Sequence, residues 1–165
     1  MLRVGGLTPL SASDYPDRLA AVVFCQGCAW RCTYCHNPEL LPFAGAKLVP
    51  WKSILEFLEK RRGLLDAVVF SGGEPTLQRS LPEAMREVKK LGYLVGLHTA
   101  GIAPRMLERV LPLVDWVGMD LKADFSRHES ITGVNRSAAR AKRSMALIAS
   151  SGVAHRFHWR TSIVQ

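Results

Sequence analysis

Apolar and polar positions recur along the chain in an alternating order. AAVVFCQG, from Ala20, is a short run of small and β-branched residues and reads as a strand. WKSILEFLEKRRG places Ile54, Leu55, Phe57 and Leu58 at helical spacing, with Gly63 as its stop. Ala67 to Phe70 is a second strand, broken by Gly72, Gly73 and Pro75. SLPEAMREVKKLG predicts a helix with Ser80 at its N-cap, Pro82 in its first turn and Gly92 at its end. YLVGLHTAG gives a third strand ending near Thr99, and APRMLERVLP a helix with Pro104 near its start. DWVGMDLKAD is a fourth strand. NRSAARAKRSMALIASSG is a helix capped by Asn135 and stopped by Gly152, and HRFHWRTSIV is a fifth strand.

Strands alternating with helices at this spacing predict an α/β fold. It has a parallel sheet with crossover helices, open or curled toward a barrel. Such folds place their sites at the carboxyl ends of the strands. The unusual residues fall there: a cysteine-rich loop after the first strand, SGGEP after the second, HTAG after the third, and Asp120 with Lys122 after the fourth.

With 165 residues, the chain has room for one domain with a substantial core. No apolar run reaches the ~20 residues of a membrane span, and the N-terminus lacks the apolar centre of a secretory signal. The expectation is a cytoplasmic protein with reduced thiols and no membrane association. The formal net charge is +8, with Arg127, Arg136, Arg140, Lys142, Arg143, Arg156 and Arg160 concentrated in the last third. No run of basic residues interleaves with aromatics, so direct nucleic-acid binding is not expected. The excess is either a solvated helix face or an attraction for an anionic partner.

All four cysteines, Cys25, Cys28, Cys32 and Cys35, lie in FCQGCAWRCTYCHNPEL. A disulfide knot does not suit a cytosolic α/β chain, and a redox pair would not need four thiols. Zinc is the serious rival. However, zinc sites usually set two cysteine pairs on either side of a longer linker, and here only Ala29, Trp30 and Arg31 intervene. Cys28, Cys32 and Cys35, spaced C-x3-C-x2-C, suit three corners of a four-iron cluster, leaving one iron for an outside ligand. Cys25 falls outside that spacing and reads as a buried strand-end thiol. A non-catalytic four-cysteine zinc protein remains the alternative.

C-x3-C-x2-C with Tyr34 before the last cysteine resembles the radical S-adenosylmethionine (radical SAM) enzymes. CxWRCxYCHNPE resembles their glycyl-radical-activating branch, and SASDYPDR resembles the entry segment of those activases, with Asp17 in place of a Gly. The likeness covers nearly the whole chain. It is strongest to activating proteins of the anaerobic ribonucleoside-triphosphate reductase. It implies a partial (β/α) barrel and a single radical SAM core over residues 1–165, without the last βα unit of the family.

The implied cofactors are a [4Fe-4S] cluster on Cys28, Cys32 and Cys35, and S-adenosylmethionine on the open iron. The implied partners are a glycyl radical enzyme, here the anaerobic ribonucleotide reductase, and a flavodoxin- or ferredoxin-type electron donor. Another radical SAM enzyme acting on a small molecule or peptide is the alternative within the family. Gly72, Gly73 and Glu74 match the segment that holds the methionine amino group, with Glu74 as an acceptor for the ammonium. The resemblance places Thr99 beside the cofactor, Asp120 near its ribose and carboxylate, Lys122 as a counter-charge, Asn37 on the adenosine and Tyr34 by the adenine or cluster. It lets Arg160 reach the cofactor from the fifth strand. His98 stands where the pyruvate formate-lyase activase has an Asp that helps hold a monovalent cation, so that cation site is in doubt. Trp30 and Arg31 read as packing and surface residues.

Overall fold

The computed structural model describes residues 1–45 and 47–159. Six strands form one sheet in the order β1-β2-β3-β4-β5-β6. They are β1 (Val4–Ser11), β2 (Ala20–Cys25), β3 (Ala67–Gly72), β4 (Leu94–Thr99), β5 (Trp116–Leu121) and β6 (Ala154–Trp159). From β2 to β6 every pairing is parallel, whereas β1 runs antiparallel to β2. The crossovers carry α1 (Trp51–Glu59), α2 (Leu81–Lys90), α3 (Pro104–Val110), α4 (His128–Thr132) and α5 (Ser137–Ser150). The sheet is open, and its sequential strand order with helices on one side is that of a partial (β/α) barrel.

Strand β1 is the main addition to the sequence reading. Its segment, VGGLTPLS, contains two glycines and Pro9, which lower strand propensity. An edge position tolerates both, because the outer N–H groups need no partner there. Gly5 is needed for a second reason. A Cβ at this position would lie 2.4 Å from the Leu40 side chain and 2.5 Å from that of Gln26.

The two faces of the sheet have different partners. Val23, Phe70, Leu97, Met119 and Leu121 bury one face against Ile54 and Leu58 of α1, Leu81, Met85 and Val88 of α2, Leu107 and Val110 of α3, and Ala141 and Ile148 of α5. The other face carries Val22, Val69 and Trp116, covered in part by Tyr15 from the β1–β2 connection. Toward the carboxyl ends of the strands this second face turns polar and becomes the wall of a cavity. No helix among the described residues is long and apolar enough to cross a membrane.

Local signals hold with three corrections. Ser80 occupies the N-cap position of α2, but its side chain makes no capping bond. Helix α5 begins two residues after Asn135. Its N-cap is Arg136 at φ +61°, whose backbone N–H donates to Glu129 Oε1 at 2.5 Å. The short α4 was not anticipated; five residues ended by Gly133 at φ +67° are too few to show a period. Gly92 and Gly152 end α2 and α5 at positive φ, as expected.

Candidate functional site

The segment after β2 is held from several sides. Gly27 N–H donates to Leu40 O (2.8 Å) and Cys28 N–H to Leu41 O (3.1 Å), which closes the loop on itself. Gly73 N–H donates to Cys25 O (2.9 Å) and Glu74 N–H to Gly27 O (3.0 Å), tying the loop to the end of β3. On its far side, Arg31 N–H reaches Thr132 O (2.8 Å) and Thr33 N–H reaches Ile131 O (3.2 Å) of α4. The Tyr34 hydroxyl donates to Lys122 O at the end of β5. Trp30 is buried edge-on against His128, with ring centroids 5.0 Å apart.

This clamped loop borders a cavity of about 810 Å³. Cys28, Cys32 and Cys35 line it, and so do Tyr34, Asn37, Gly72, Gly73, Thr99, Asp120 and Lys122. The sequence reading brought these ten residues from four strand ends to one place. Arg160 lies outside the described residues. Cys25 does not line the cavity. It is fully buried on the helical face of β2, as read from its position before the loop.

Glu74 requires a correction. Its carboxylate does not face the cavity and is fully buried. Oε1 accepts from Thr76 N–H (3.1 Å), Thr76 Oγ1 (2.5 Å) and Thr99 Oγ1 (2.7 Å), while Oε2 accepts from Ala100 N–H (2.9 Å). No ammonium ligand is needed to satisfy it. Its work is to lock the end of β3 to the end of β4. Burial raises its pKa, and these four donors pull it back down.

Gly72 and Gly73 leave a bare stretch of backbone at the cavity wall. Gly72 has φ +106°, and a Cβ on it would lie 2.5 Å from Cys25 N. A Cβ on Gly73 would lie 2.5 Å from Gly27 O. Both glycines are therefore fixed by backbone packing as well as by any ligand. Asp120 and Lys122 pair at 2.9 Å between Oδ2 and Nζ.

Strand alternation would have exposed further cavity residues that the motif reading passed over or left undecided. Phe24 pairs with Ser71, His98 with Gly118, and Asp120 with His158, all on the cavity face. Ser71, His98, Arg156 and His158 all line the cavity, together with Asp14 and Tyr15 from the β1–β2 connection. His98 Nε2–H donates to Asp14 O (3.0 Å), which leaves Nδ1 as the acceptor facing Ser71 Oγ (3.4 Å). Burial lowers its pKa, and the nearby Asp14 partly opposes this. His98 thus fixes the β1–β2 connection against β4. Asp17, in that connection, sits at φ +56°. It keeps the left-handed turn that a Gly would take, which Asp tolerates better than most residues.

The donor set suits a polynuclear iron group. Burial pushes the Cys28 thiol up to about 12, with the charge of Glu74 adding to it. Burial also raises Cys32, against the pull of Lys122. Without a compensating cation, burial favours the protonated thiol at Cys28 and Cys32; bound iron would make the ligating cysteines thiolates. Among the described residues no three His, Cys, Asp or Glu side chains converge on a point that would hold a single metal ion. The three cysteines border one space large enough for a cluster and a further ligand.

Comparison with known proteins agrees with this geometry. The chain is 35% identical over 131 residues to a Methanocaldococcus jannaschii protein named as a glycyl-radical enzyme activating enzyme, covering 76% of this chain and 52% of that one. It is also 35% identical over 142 residues to the pyruvate formate-lyase-activating enzyme of Clostridium pasteurianum, covering 81% and 58%. The chain therefore spans about half the length of these curated relatives. Among solved structures, QueE from Escherichia coli superposes with a TM-score of 0.57 at 10% identity, covering 95% of this chain and 93% of that one. A structure of anSMEcpe with bound AdoMet gives 0.61 at 18% identity, covering 80% and 41%. At these identities the structural likeness shows the fold alone. Residues 22–163 match the Radical SAM superfamily, and the chain belongs to that superfamily, whose members use a [4Fe-4S] cluster and S-adenosylmethionine.

Proposed function

We propose that this chain is the radical SAM core of an activating enzyme that generates a glycyl radical on a partner, the anaerobic ribonucleotide reductase. One observation carries the reading. A single clamped loop delivers Cys28, Cys32 and Cys35 to the same cavity that receives the Gly72–Gly73 backbone, Thr99, Asp120 and Lys122 from three further strand ends. The curated relatives named for glycyl-radical activation support the activase branch. The likeness of the chain as a whole to reductase-activating proteins supports the choice of partner.

When bound, a [4Fe-4S] cluster and S-adenosylmethionine would supply one-electron radical chemistry for hydrogen abstraction. The chain's own residues bind, orient and exclude water. Cys28, Cys32 and Cys35 would hold the cluster as thiolates. The bare backbone at Gly72 and Gly73, on the cavity wall, would let the methionine end approach closely. Thr99 is held in place by Glu74, so its position is set before ligand arrives. Asp120 accepts from the ribose hydroxyls, and Lys122, already paired with it, balances carboxylate charge. Asn37, on the cavity wall, would hydrogen-bond the adenosine. Tyr34 closes the wall between the cysteine loop and β5.

The zinc reading needs Cys25 as a fourth ligand, and Cys25 is buried in the core on the other face of the sheet. The test of the activase reading is to reduce the reconstituted protein with S-adenosylmethionine, measure 5′-deoxyadenosine, and then add anaerobic ribonucleotide reductase. Cleavage followed by a glycyl-radical EPR doublet on the reductase is expected. Cleavage with a radical on a different glycyl radical enzyme alone would reassign the partner. No cleavage under any condition would overturn the activity.

A further inference from the structure

The cysteine loop is gripped residue by residue from the connection between β5 and α5. Lys122 O accepts from the Tyr34 hydroxyl, Ile131 O from Thr33 N–H and Thr132 O from Arg31 N–H. Trp30 completes the series through its side chain. Its indole stands edge-on to the imidazole of His128, the first residue of α4, at an interplanar angle of 80°. Trp30 is 1% exposed and His128 is 0% exposed. Trp30 Nε1 and His128 Nε2 are both buried without a hydrogen-bond partner among the described residues. Burying an unpaired polar atom is costly, and an apolar ring at position 128 would avoid the cost.

The bonds behind the imidazole fix its tautomer. Thr132 Oγ1 lies 2.8 Å from both His128 O and Ser137 Oγ, and Ser137 Oγ lies 2.8 Å from His128 Nδ1. When the Thr132 proton goes to the carbonyl, Ser137 donates to Thr132 and accepts from Nδ1–H. Nε2 is then a bare acceptor. The reverse order, Thr132 to Ser137 to Nδ1, puts a proton on Nε2 and sets it beside the Trp30 N–H, two buried donors with nothing to accept them. The first order leaves one donor and one acceptor, which satisfy each other. Burial lowers the pKa of His128, which Glu129 opposes and Lys122 reinforces, so the ring is neutral and carries a single proton.

Trp30 bears on the site through its backbone. It stands between Cys28 and Cys32, and its N–H bonds to the Cys28 sulfur. Arg31 Nη1 donates to Cys28 O (2.6 Å) and Trp30 O (3.0 Å), which wraps the same turn. His128 itself does not line the cavity. Resting on the functional reading above, we propose that His128 is a positioning residue of the cluster site: its Nε2 accepts from the Trp30 indole N–H and so holds the Trp30 backbone N–H on the Cys28 sulfur. Hydrogen bonds to the ligand sulfurs raise a cluster's reduction potential, because they stabilise its more negative, reduced form.

The test compares wild type, His128→Gln and His128→Phe. Gln can place an oxygen acceptor where Nε2 lies, whereas Phe fills the ring space without one. In the iron-free chain, NMR of labelled nitrogens gives one indole signal for each of the four Trp, and Trp30→Phe assigns the one required. Wild type and His128→Gln are expected to show a downfield, slowly exchanging Trp30 N–H, which moves upfield in His128→Phe. The wild-type His128 ring should carry its proton on Nδ1. After reconstitution all three proteins should hold about four irons per chain. His128→Phe should then have a lower midpoint potential than wild type, and His128→Gln the wild-type value. A role in folding alone would leave the potential unmoved. If His128→Phe does not fold by circular dichroism, Trp30→Phe replaces it; it removes the donor and should also lower the potential.

An unchanged Trp30 signal in His128→Phe, a proton on Nε2 in wild type, or equal potentials in all three proteins would each overturn the proposal. So would a His128→Gln protein that behaves as His128→Phe does, because packing and not the acceptor would then hold Trp30. A wild type that takes up no iron defeats the activase reading, whereas the iron-free signals still decide whether His128 holds Trp30.

Discussion

Glu74 offers a direct test of how the cavity wall is held. Its carboxylate joins the ends of β3 and β4 through one bond from Thr99 Oγ1 and one from Ala100 N–H, while Thr76 supplies two more from its own turn. In Glu74→Gln, one carboxylate oxygen becomes a donor. The best placement keeps the amide oxygen on the three donors at Oε1 and turns the NH2 toward Ala100 N–H. One bond is then lost and two donors face each other in a buried space, at a cost of about 1–3 kcal/mol. Relief from burying a charge offsets part of this, so about 1–2 kcal/mol of net destabilisation is expected. Thr99→Val removes the 2.7 Å bond to Glu74 and the acceptor of Gly101 N–H, at a similar cost. Because the two residues share a bond, the double variant should fall short of the sum by about 1 kcal/mol. Urea unfolding of the four proteins measures this. Additivity within about 0.5 kcal/mol, or a Glu74→Gln protein as stable as wild type, would refute the role given to Glu74.

Three other perturbations have defined outcomes. Gly73→Ala would set a Cβ 2.5 Å from Gly27 O and 2.9 Å from Leu40 O, neither of which is a flexible side-chain tip. It should lose about 3 kcal/mol or fail to fold, whereas Gly92→Ala, with open space around it, should lose only about 1 kcal/mol; urea midpoints distinguish the two. Burial lowers the pKa of both His98 and His128 in the fold, so the unfolded chain binds protons more tightly there. Stability is then fully present above the ordinary His pKa of about 6.5 and should fall as pH drops through it, by at most about 1.4 kcal/mol per pH unit per proton. Unfolding curves from about pH 7.5 to 5.5 check that sign, and His98→Asn should flatten the slope. Asp17→Gly should be neutral or stabilising by up to about 1 kcal/mol, while Asp17→Val should destabilise by at least that much, because the position requires φ +56°. Equal thermal midpoints for the two Asp17 variants would contradict the turn.

The parallel strands were legible because Ala20–Val23, Ala67–Phe70 and Trp116–Met119 are buried on both faces and read as continuous apolar runs. Strand β1 was hidden by Gly5, Gly6 and Pro9, whose place is decided by an edge position that no local pattern shows. The ten cavity residues were legible because the resemblance names the cysteine-loop residues and the strand-end motifs together, and Gly72, Gly73, Thr99, Asp120 and Lys122 sit at or just past strand ends. Glu74 was misassigned for a related reason. It follows two glycines that do face the cavity, but the chain turns into a short helical segment at Pro75, and the Glu74 side chain is directed inward to Thr76 and Thr99. The polar row formed by Ser71, His98 and His158 was present in the strand alternation; one further step of period-two counting would have placed it in the cavity. The clamp between the cysteine loop and α4 rests on backbone bonds from Arg31 and Thr33, to which side-chain identity gives no clue.

The central claim is that Cys28, Cys32 and Cys35, without Cys25, hold a cluster whose open iron meets S-adenosylmethionine in this cavity. Oxygen-free reconstitution, reduction and EPR of wild type and Cys25→Ala, with and without S-adenosylmethionine, tests it most directly. Both proteins should give a four-iron signal that changes when S-adenosylmethionine is added, at about four irons per chain. A colourless wild type that retains one zinc, and loses it in Cys25→Ala, would instead make the loop a four-cysteine zinc site.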